Sequence, residues 1–244
     1  MLKLEKYPLS PPKNLIIRIG KRNAYHQAGQ VAAIHLGNKH KHLPAVHFQV
    51  AIKPIGQDNE FNERFIRIPP KYRGKLEGGR LIPDLPHCYQ SATRLLSVDE
   101  KRQCQCAFEA DVINILAASL AEAKYVALRD GEIFNANLVY LGALKFYGGQ
   151  FDLLSVDGYM NCLYPENNTE RNQKLTELFL AAYSFVNEAT NWKAITVIAE
   201  ALYRCPRDIF TCDELITLLE PFELPDMPEP VWLRAESQLE HVGH

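Results

Sequence analysis

The 244-residue chain sets 27 Lys and Arg against 29 Asp and Glu, for a formal net charge of -2, and 47% of its residues are hydrophobic. That apolar share supports a packed core and excludes a disordered, collagen-like or low-complexity chain. The length permits one large domain or two small ones.

Met1 to Pro12 mixes charged residues with three prolines and lacks the apolar stretch of a signal peptide, so a cytoplasmic location is expected. The basic N-terminal part reads as strands. Leu15 to Ile19 is a short β-rich run closed by Gly20, and Gln30 to Leu36 is a second, ended by Gly37 and Asn38. Ala45 to Ile52 alternates, with Val46, Phe48, Val50 and Ile52 on one face and His47, Gln49 and Ala51 on the other. Phe61 to Ile68 is a fourth strand, stopped by Pro69 and Pro70. Pairing Gln30 to Leu36 with Ala45 to Ile52 would put Lys39, His40, Lys41 and His42 at the tip of a basic loop, and Lys71 to Arg80 reads as a second, flexible one.

Past residue 80 the period changes. Ser97 and Glu100 have capping-box spacing ahead of a helix that runs to about Ala123 and could extend to Leu128. Its apolar core, Val112 to Ala121, is flanked by Asp111 and Glu122 and is far below the ~20 residues of a membrane span. Tyr125 to Leu128, a turn at Arg129-Asp130-Gly131, and Glu132 to Phe134 read as strand, turn and strand. Leu138 to Tyr147 and Phe151 to Val156 are further strand candidates, separated by a turn at Gly148-Gly149-Gln150, and Asp157-Gly158 reads as another turn. Helices follow at Thr169 to Glu188, with Asn167-Asn168-Thr169 as the start, at Asn191 to Tyr203, and at Cys212 to Leu219 behind a Thr211/Glu214 capping box. Phe179, Ala182, Phe185, Val186 and Trp192 are their expected core. Leu224 to His244 is Pro-rich and acidic, with Trp232 as its anchor.

The net charge hides an asymmetry. Residues 1–80 hold 15 Lys and Arg against 5 Asp and Glu, the remainder 12 against 24, so the two parts carry +10 and -12. Five of the eight histidines also lie in the basic part. Such a split points to an anionic partner, nucleic acid first, or to two parts that neutralise each other inside one fold.

His35, His40, His42 and His47 fall within thirteen residues, but no Cys, Asp or Glu lies between residues 30 and 57 to complete a zinc shell. No metal and no cofactor is expected. The six cysteines are too sparse for a disulfide scaffold and read as thiols. Phosphate-loop, dinucleotide, serine-hydrolase and H-E-x-x-H signatures are missing. Residues 169–220 carry 5 Lys and Arg against 8 Asp and Glu, a poor balance for a helix entering a major groove.

The expected fold is α+β: a basic β-rich N-terminal part forming an antiparallel sheet or small barrel, then a helix, a small mixed region and a C-terminal helical bundle. The expected division is 1–80 for nucleic-acid binding, 81–166 as a mixed region packed on it, 167–222 as the acidic bundle and 223–244 as the tail. The leading functional expectation is a subunit of a larger assembly that binds RNA or single strands. Lys21, Arg22, Lys39, His40, Lys41, His42, Arg67, Lys71, Arg73, Lys75 and Arg80 would hold phosphates, with aromatic residues such as Tyr25, Phe48 and Tyr72 available for stacking. Protein partners would meet the acidic helical part. One alternative is a metal-independent ribonuclease using His35, His47 and Lys41. The other is a non-catalytic structural or adaptor protein whose charges cancel internally.

Overall fold

The computed structural model describes residues 18–54 and 72–223. Of these, 66% are helical, and the strands form one small three-stranded antiparallel sheet, so the α+β class holds with helix dominant. Helix α1 (Lys21–Ala32) continues through a π-helical turn at Ala33–Gly37 into the short α2 (Asn38–His40). Strands β1 (Phe48–Pro54) and β2 (Tyr72–Gly78) follow, then α3 (Tyr89–Ala92) and the 33-residue α4 (Val98–Asp130). A 3-10 turn at Leu141–Phe146 leads into α5 (Gln150–Leu163), α6 (Asn168–Asn187) and α7 (Ala189–Arg204). Strand β3 (Ile209–Phe210), α8 (Cys212–Leu219) and a last 3-10 turn at Glu220–Phe222 complete the order.

Helix α4 is the axis of the core. Its middle is Ala-rich and buried on nearly every side, with α1, α5 and α6 packed against it. By length and apolar composition it could cross a membrane, but 72% of its most apolar window is buried within the protein, where neighbouring helices cover it. Ser97 and Glu100 close both halves of the capping box at its start, and Gly131 ends it in the left-handed conformation at φ 72°. Asn167 caps α6 by accepting from the Glu170 amide, and Thr211 with Glu214 boxes the start of α8. Phe179, Ala182 and Val186 are buried, while Phe185 and Trp192 are partly buried against the same core.

The sheet order is β2-β1-β3, with Val50 opposite Leu76 on one side and Phe210 on the other. Phe48, Val50 and Ile52 point into the core and Lys53 points out, as the alternation of this segment predicts. Helix α1 lies along the outer edge of β2. Asn23 Oδ1 accepts from the Gly74 amide at 2.7 Å and Gln27 Oε1 from the Leu76 amide at 2.8 Å, so two side chains one helical turn apart serve donors that a missing strand would otherwise pair. Gln27→Ala is expected to leave the Leu76 N–H without its partner and cost about 1–3 kcal/mol in urea denaturation, with the helical signal unchanged.

Several expected strands are helical. Gln30 to Leu36 lies in the continuous α1–α2 segment, so it cannot pair with β1; β2 does, in the stretch expected to be a flexible loop. Gly29 packs α1 against α4, and Ala24, Ala28 and Val31 follow helical spacing on the buried face. Tyr125 to Leu128 belongs to α4, and Glu132 to Phe134 forms no strand. Leu138 to Tyr147 contains the 3-10 turn and Phe151 to Val156 the first turns of α5, whose buried Val156, Tyr159, Met160 and Leu163 run at helical spacing straight through Asp157-Gly158. Of the expected first strand Arg18 and Ile19 are described, and Ile19 makes a single bridge to Tyr72. Phe61 to Ile68 and Leu224 to His244 lie outside the described residues.

Candidate functional site

Among the described residues, Arg18, Lys21, Arg22, Lys39 and Arg80 of the N-terminal part are bonded to groups of later elements. Lys21 Nζ lies 3.3 Å from Glu200 of α7 and over the Tyr203 ring; Glu200 raises the proton affinity of this lysine. Arg18 Nε donates to the Tyr203 carbonyl, and its guanidinium stacks on the same ring at 4.1 Å. His35 Nε2 and Lys39 Nζ reach opposite oxygens of Glu223 at 2.6 and 2.7 Å, which holds that carboxyl below its ordinary range. Lys53 bonds Glu77 within the sheet. Lys41, expected at an exposed loop tip, is partly buried beside Cys106 and Glu109, and burial lowers its proton affinity.

Beneath this surface is a buried ionic network. Arg22 and His26, one turn apart on α1, face Glu122 of α4. Arg22 Nε donates to Glu122 Oε1 at 2.8 Å, and Arg22 Nη2 to the Phe146 carbonyl at 2.7 Å. The His26 ring is 4% exposed, with Nδ1 3.2 Å from Glu122 Oε2 and Nε2 3.3 Å from Asp152 Oδ2. Nδ1 is also 3.3 Å from the Tyr147 carbonyl, and Ser119 donates to Asp152 at 2.7 Å. Every neighbour of the two ring nitrogens is an acceptor, so only the imidazolium, a donor at both, satisfies the site. Burial disfavours that charge, yet the Glu122 hydrogen bond and the Asp152 and Glu122 charges outweigh it and raise His26 above the usual histidine value. Burial likewise works against the Glu122 carboxylate, but His26 and Arg22 prevail and its pKa is lowered.

Gly148 and Gly149 form the roof. Gly148 has φ +72°, and a Cβ there would sit 2.8 Å from Glu122 Oε2 and 2.9 Å from His26 Nδ1; one on Gly149 would meet Ser119 Oγ at 2.5 Å. The turn expected at Gly148-Gly149-Gln150 is therefore present, and its glycines let the backbone lie directly on the charged groups. The arrangement is a clamp: it joins α1, α4 and the start of α5 and holds residues 146–149 over them.

Two other buried charges are also satisfied. Asp111 accepts from the Leu81 and Ile82 amides, each at 2.9 Å, and from Tyr159 Oη; burial nevertheless raises its pKa. Lys124 donates to the Val186 and Asn187 carbonyls at the end of α6 and lies 4.6 Å from the Trp192 ring centre.

Of the expected phosphate ligands, Arg22, Lys39, His40, His42, Arg73 and Lys75 are exposed, while Lys21, Lys41 and Arg80 are partly buried. Arg67 and Lys71 lie outside the described residues. Lys75 and Arg80 share a surface cleft of about 600 Å³ with His47 and Glu77, beside Gly78 and Gly79. His35 and Lys41 are not among its lining residues, so the trio proposed for ribonuclease chemistry is split between the Glu223 contact, the α4 flank and this cleft. Tyr25 and Phe48, expected as stacking platforms, are buried, and Tyr25 stacks on Tyr125 and Trp192 instead. Among the described residues no group of three or more His, Cys, Asp or Glu is arranged to hold a metal ion.

His26, Glu122, Asp152 and Ser119 were not singled out as a group in the sequence. The available signal was helical spacing from Arg22 to His26 combined with the paired glycines; nothing local links either to Glu122. In comparison with known proteins, the chain matches no family model and no curated protein.

Proposed function

We propose that the chain acts as an interaction subunit, a structural or adaptor protein whose opposite charges meet within its own fold. The observation that carries this reading is the set of cross-links from the N-terminal cations to later acidic residues: Lys21 to Glu200, Arg22 and His26 to Glu122, and His35 and Lys39 to Glu223. Cations engaged in this way are not available to replace counterions on a polyanion without first giving up those bonds. The clamp around His26 supports the same reading, since its titratable groups bond one another beneath the chain's own backbone.

A second reading, binding of RNA or single-stranded DNA, is favoured by the cleft that gathers His47, Lys75 and Arg80, with Arg73 on the neighbouring outward position of β2. Three cations on a single strand predict a salt slope of about -2, or roughly a 16-fold loss of affinity between 50 and 200 mM salt. Filter binding of labelled single-stranded RNA and DNA at those two concentrations separates the readings. The interaction-subunit reading expects no retention at either. Retention with that slope, abolished by Arg73→Glu with Lys75→Glu, would establish the second reading in its place.

A further inference from the structure

Lys75 and Arg80 line the cleft of about 600 Å³ at the end of the β-hairpin, and the fold does not cancel their charge by direct contact with a carboxylate. Strand β2 ends at Gly78 and Gly79, whose φ of +78° and +76° turn the chain off the sheet, so that Arg80 reaches Tyr159 and Ser155 of α5. There its guanidinium is partly buried, with Nη1 and Nη2 each 3.5 Å from a hydroxyl oxygen, the outer limit of a hydrogen bond. Asp111 feels this charge but stands behind the Tyr159 hydroxyl, its oxygens bonded to the Leu81 and Ile82 amides. Most donors of the guanidinium fork are therefore unspent among the described residues.

Lys75 is exposed on β2, two residues before Glu77, the one carboxylate on the cleft wall. Both oxygens of Glu77 are already held from β1, by Lys53 at 2.6 Å and Gln49 at 2.9 Å. His47 lies on the same wall, where its carbonyl accepts from the Gly79 amide at 2.9 Å. Val46, Leu76 and Pro83 supply apolar wall beside these polar groups.

We propose that this cleft binds a small phosphomonoester, with the phosphate held by Arg80 and Lys75 and the organic group laid against Val46, Leu76 and Pro83. A guanidinium fork with a second, point-like cation matches a doubly charged phosphate, whereas a single carboxylate would satisfy Arg80 alone. The volume falls within the roughly 300–1,000 Å³ of small-molecule sites. A nucleic-acid strand would call for cations tracking several successive phosphates, and this cleft gathers its charge at one place. The site goes beyond the interaction-subunit reading, because its two cations are separate from the cross-links that carry that reading.

Isothermal titration calorimetry of the full chain at low salt, with phenyl phosphate, inorganic phosphate and benzoate, tests the proposal. The expected result is one site per chain for phenyl phosphate, with inorganic phosphate bound several-fold more weakly for want of the ring. Benzoate, the same ring with a single charge, should bind about tenfold more weakly. Arg80→Gln should weaken phenyl phosphate by about tenfold or more, and Lys75→Gln by a smaller factor that added salt reduces. Lys193→Gln makes the same charge change at an exposed position of α7 outside the cleft and should leave the affinity unchanged. Circular dichroism checks that Arg80→Gln keeps the fold, and the exposed Lys75 reports on the site even if it does not. Absence of saturable binding overturns the proposal, as does an affinity indifferent to Lys75→Gln or equally reduced by Lys193→Gln. Benzoate bound as tightly as phenyl phosphate overturns the phosphate, and inorganic phosphate bound as tightly overturns the organic group. RNA retained on the filter without phenyl phosphate bound in the calorimeter overturns this site and leaves the nucleic-acid reading standing.

Discussion

His26→Ala is expected to destabilise the fold by about 3 kcal/mol, because it removes the cation between buried Glu122 and partly buried Asp152 and leaves Glu122 with Arg22 alone. Two further variants separate charge from packing. His26→Gln retains side-chain hydrogen bonding but not the charge and should fall between wild type and alanine. Glu122→Gln combined with His26→Gln should recover part of the loss, since removing both ions of a buried pair is far less damaging than removing one. The pH dependence has a fixed sign. His26 is raised above its unfolded value of ~6.5, so its contribution is complete below that pH and disappears as pH rises through the raised value. Glu122 is lowered, so its contribution is complete above ~4.5 and disappears as pH falls through the lowered value. The difference in melting temperature between wild type and His26→Gln should therefore be greatest between about pH 4.5 and 6.5 and shrink at higher pH. A difference that is flat from pH 5 to 9 would mean a neutral ring and contradict the donor count at the site.

This clamp also shows what a sequence can and cannot convey. Caps were legible because their chemistry is local: Ser97 with Glu100, Asn167 with Glu170 and Thr211 with Glu214 each act across three residues. The inward face of β1 was legible because Phe48, Val50 and Ile52 alternate, although Ala51 on the other face is buried as well. Helix α1 was obscured by β-branched Val31 and Ile34 and by Gly29 and Gly37, which look like strand boundaries when only nearest neighbours are considered. The first turns of α5 were obscured by Phe151 and Leu154, which are outward-facing apolar residues and so break the usual inward pattern. Arg22 meets a carboxylate 100 residues away, a pairing created by the packing of α1 on α4 and by nothing in the local sequence. The +10 and -12 division was visible as a number. Which of its two consequences follows depends on contacts of that range.

Gly29→Ala should destabilise the protein by about 2 kcal/mol although alanine is the better helix former. At this position α1 approaches α4 so closely that a Cβ would lie 2.5 Å from the Ala117 carbonyl oxygen and 2.5 Å from Ala121 Cβ. Helix propensity favours the substitution by about 1 kcal/mol, but overpacking typically costs 1–3 kcal/mol, and a backbone oxygen cannot rotate aside as a side chain can. The helices must separate, which stretches the Arg22 and His26 bonds to Glu122 one turn away and adds to the cost. Ala121→Gly removes one of the two collisions and leaves the carbonyl, so the double variant should recover only part of the loss. Gly158→Ala in α5 supplies the contrast, because there the nearest atom to the new methyl is Leu85 Cδ1 at 3.4 Å, an ordinary contact. With no collision to oppose it, propensity should decide, and Gly158→Ala should stabilise by up to about 1 kcal/mol. Opposite signs for the same substitution in two helices, measured by chemical denaturation, would locate the effect in the α1–α4 crossing; equal signs would mean that the crossing is wider than described.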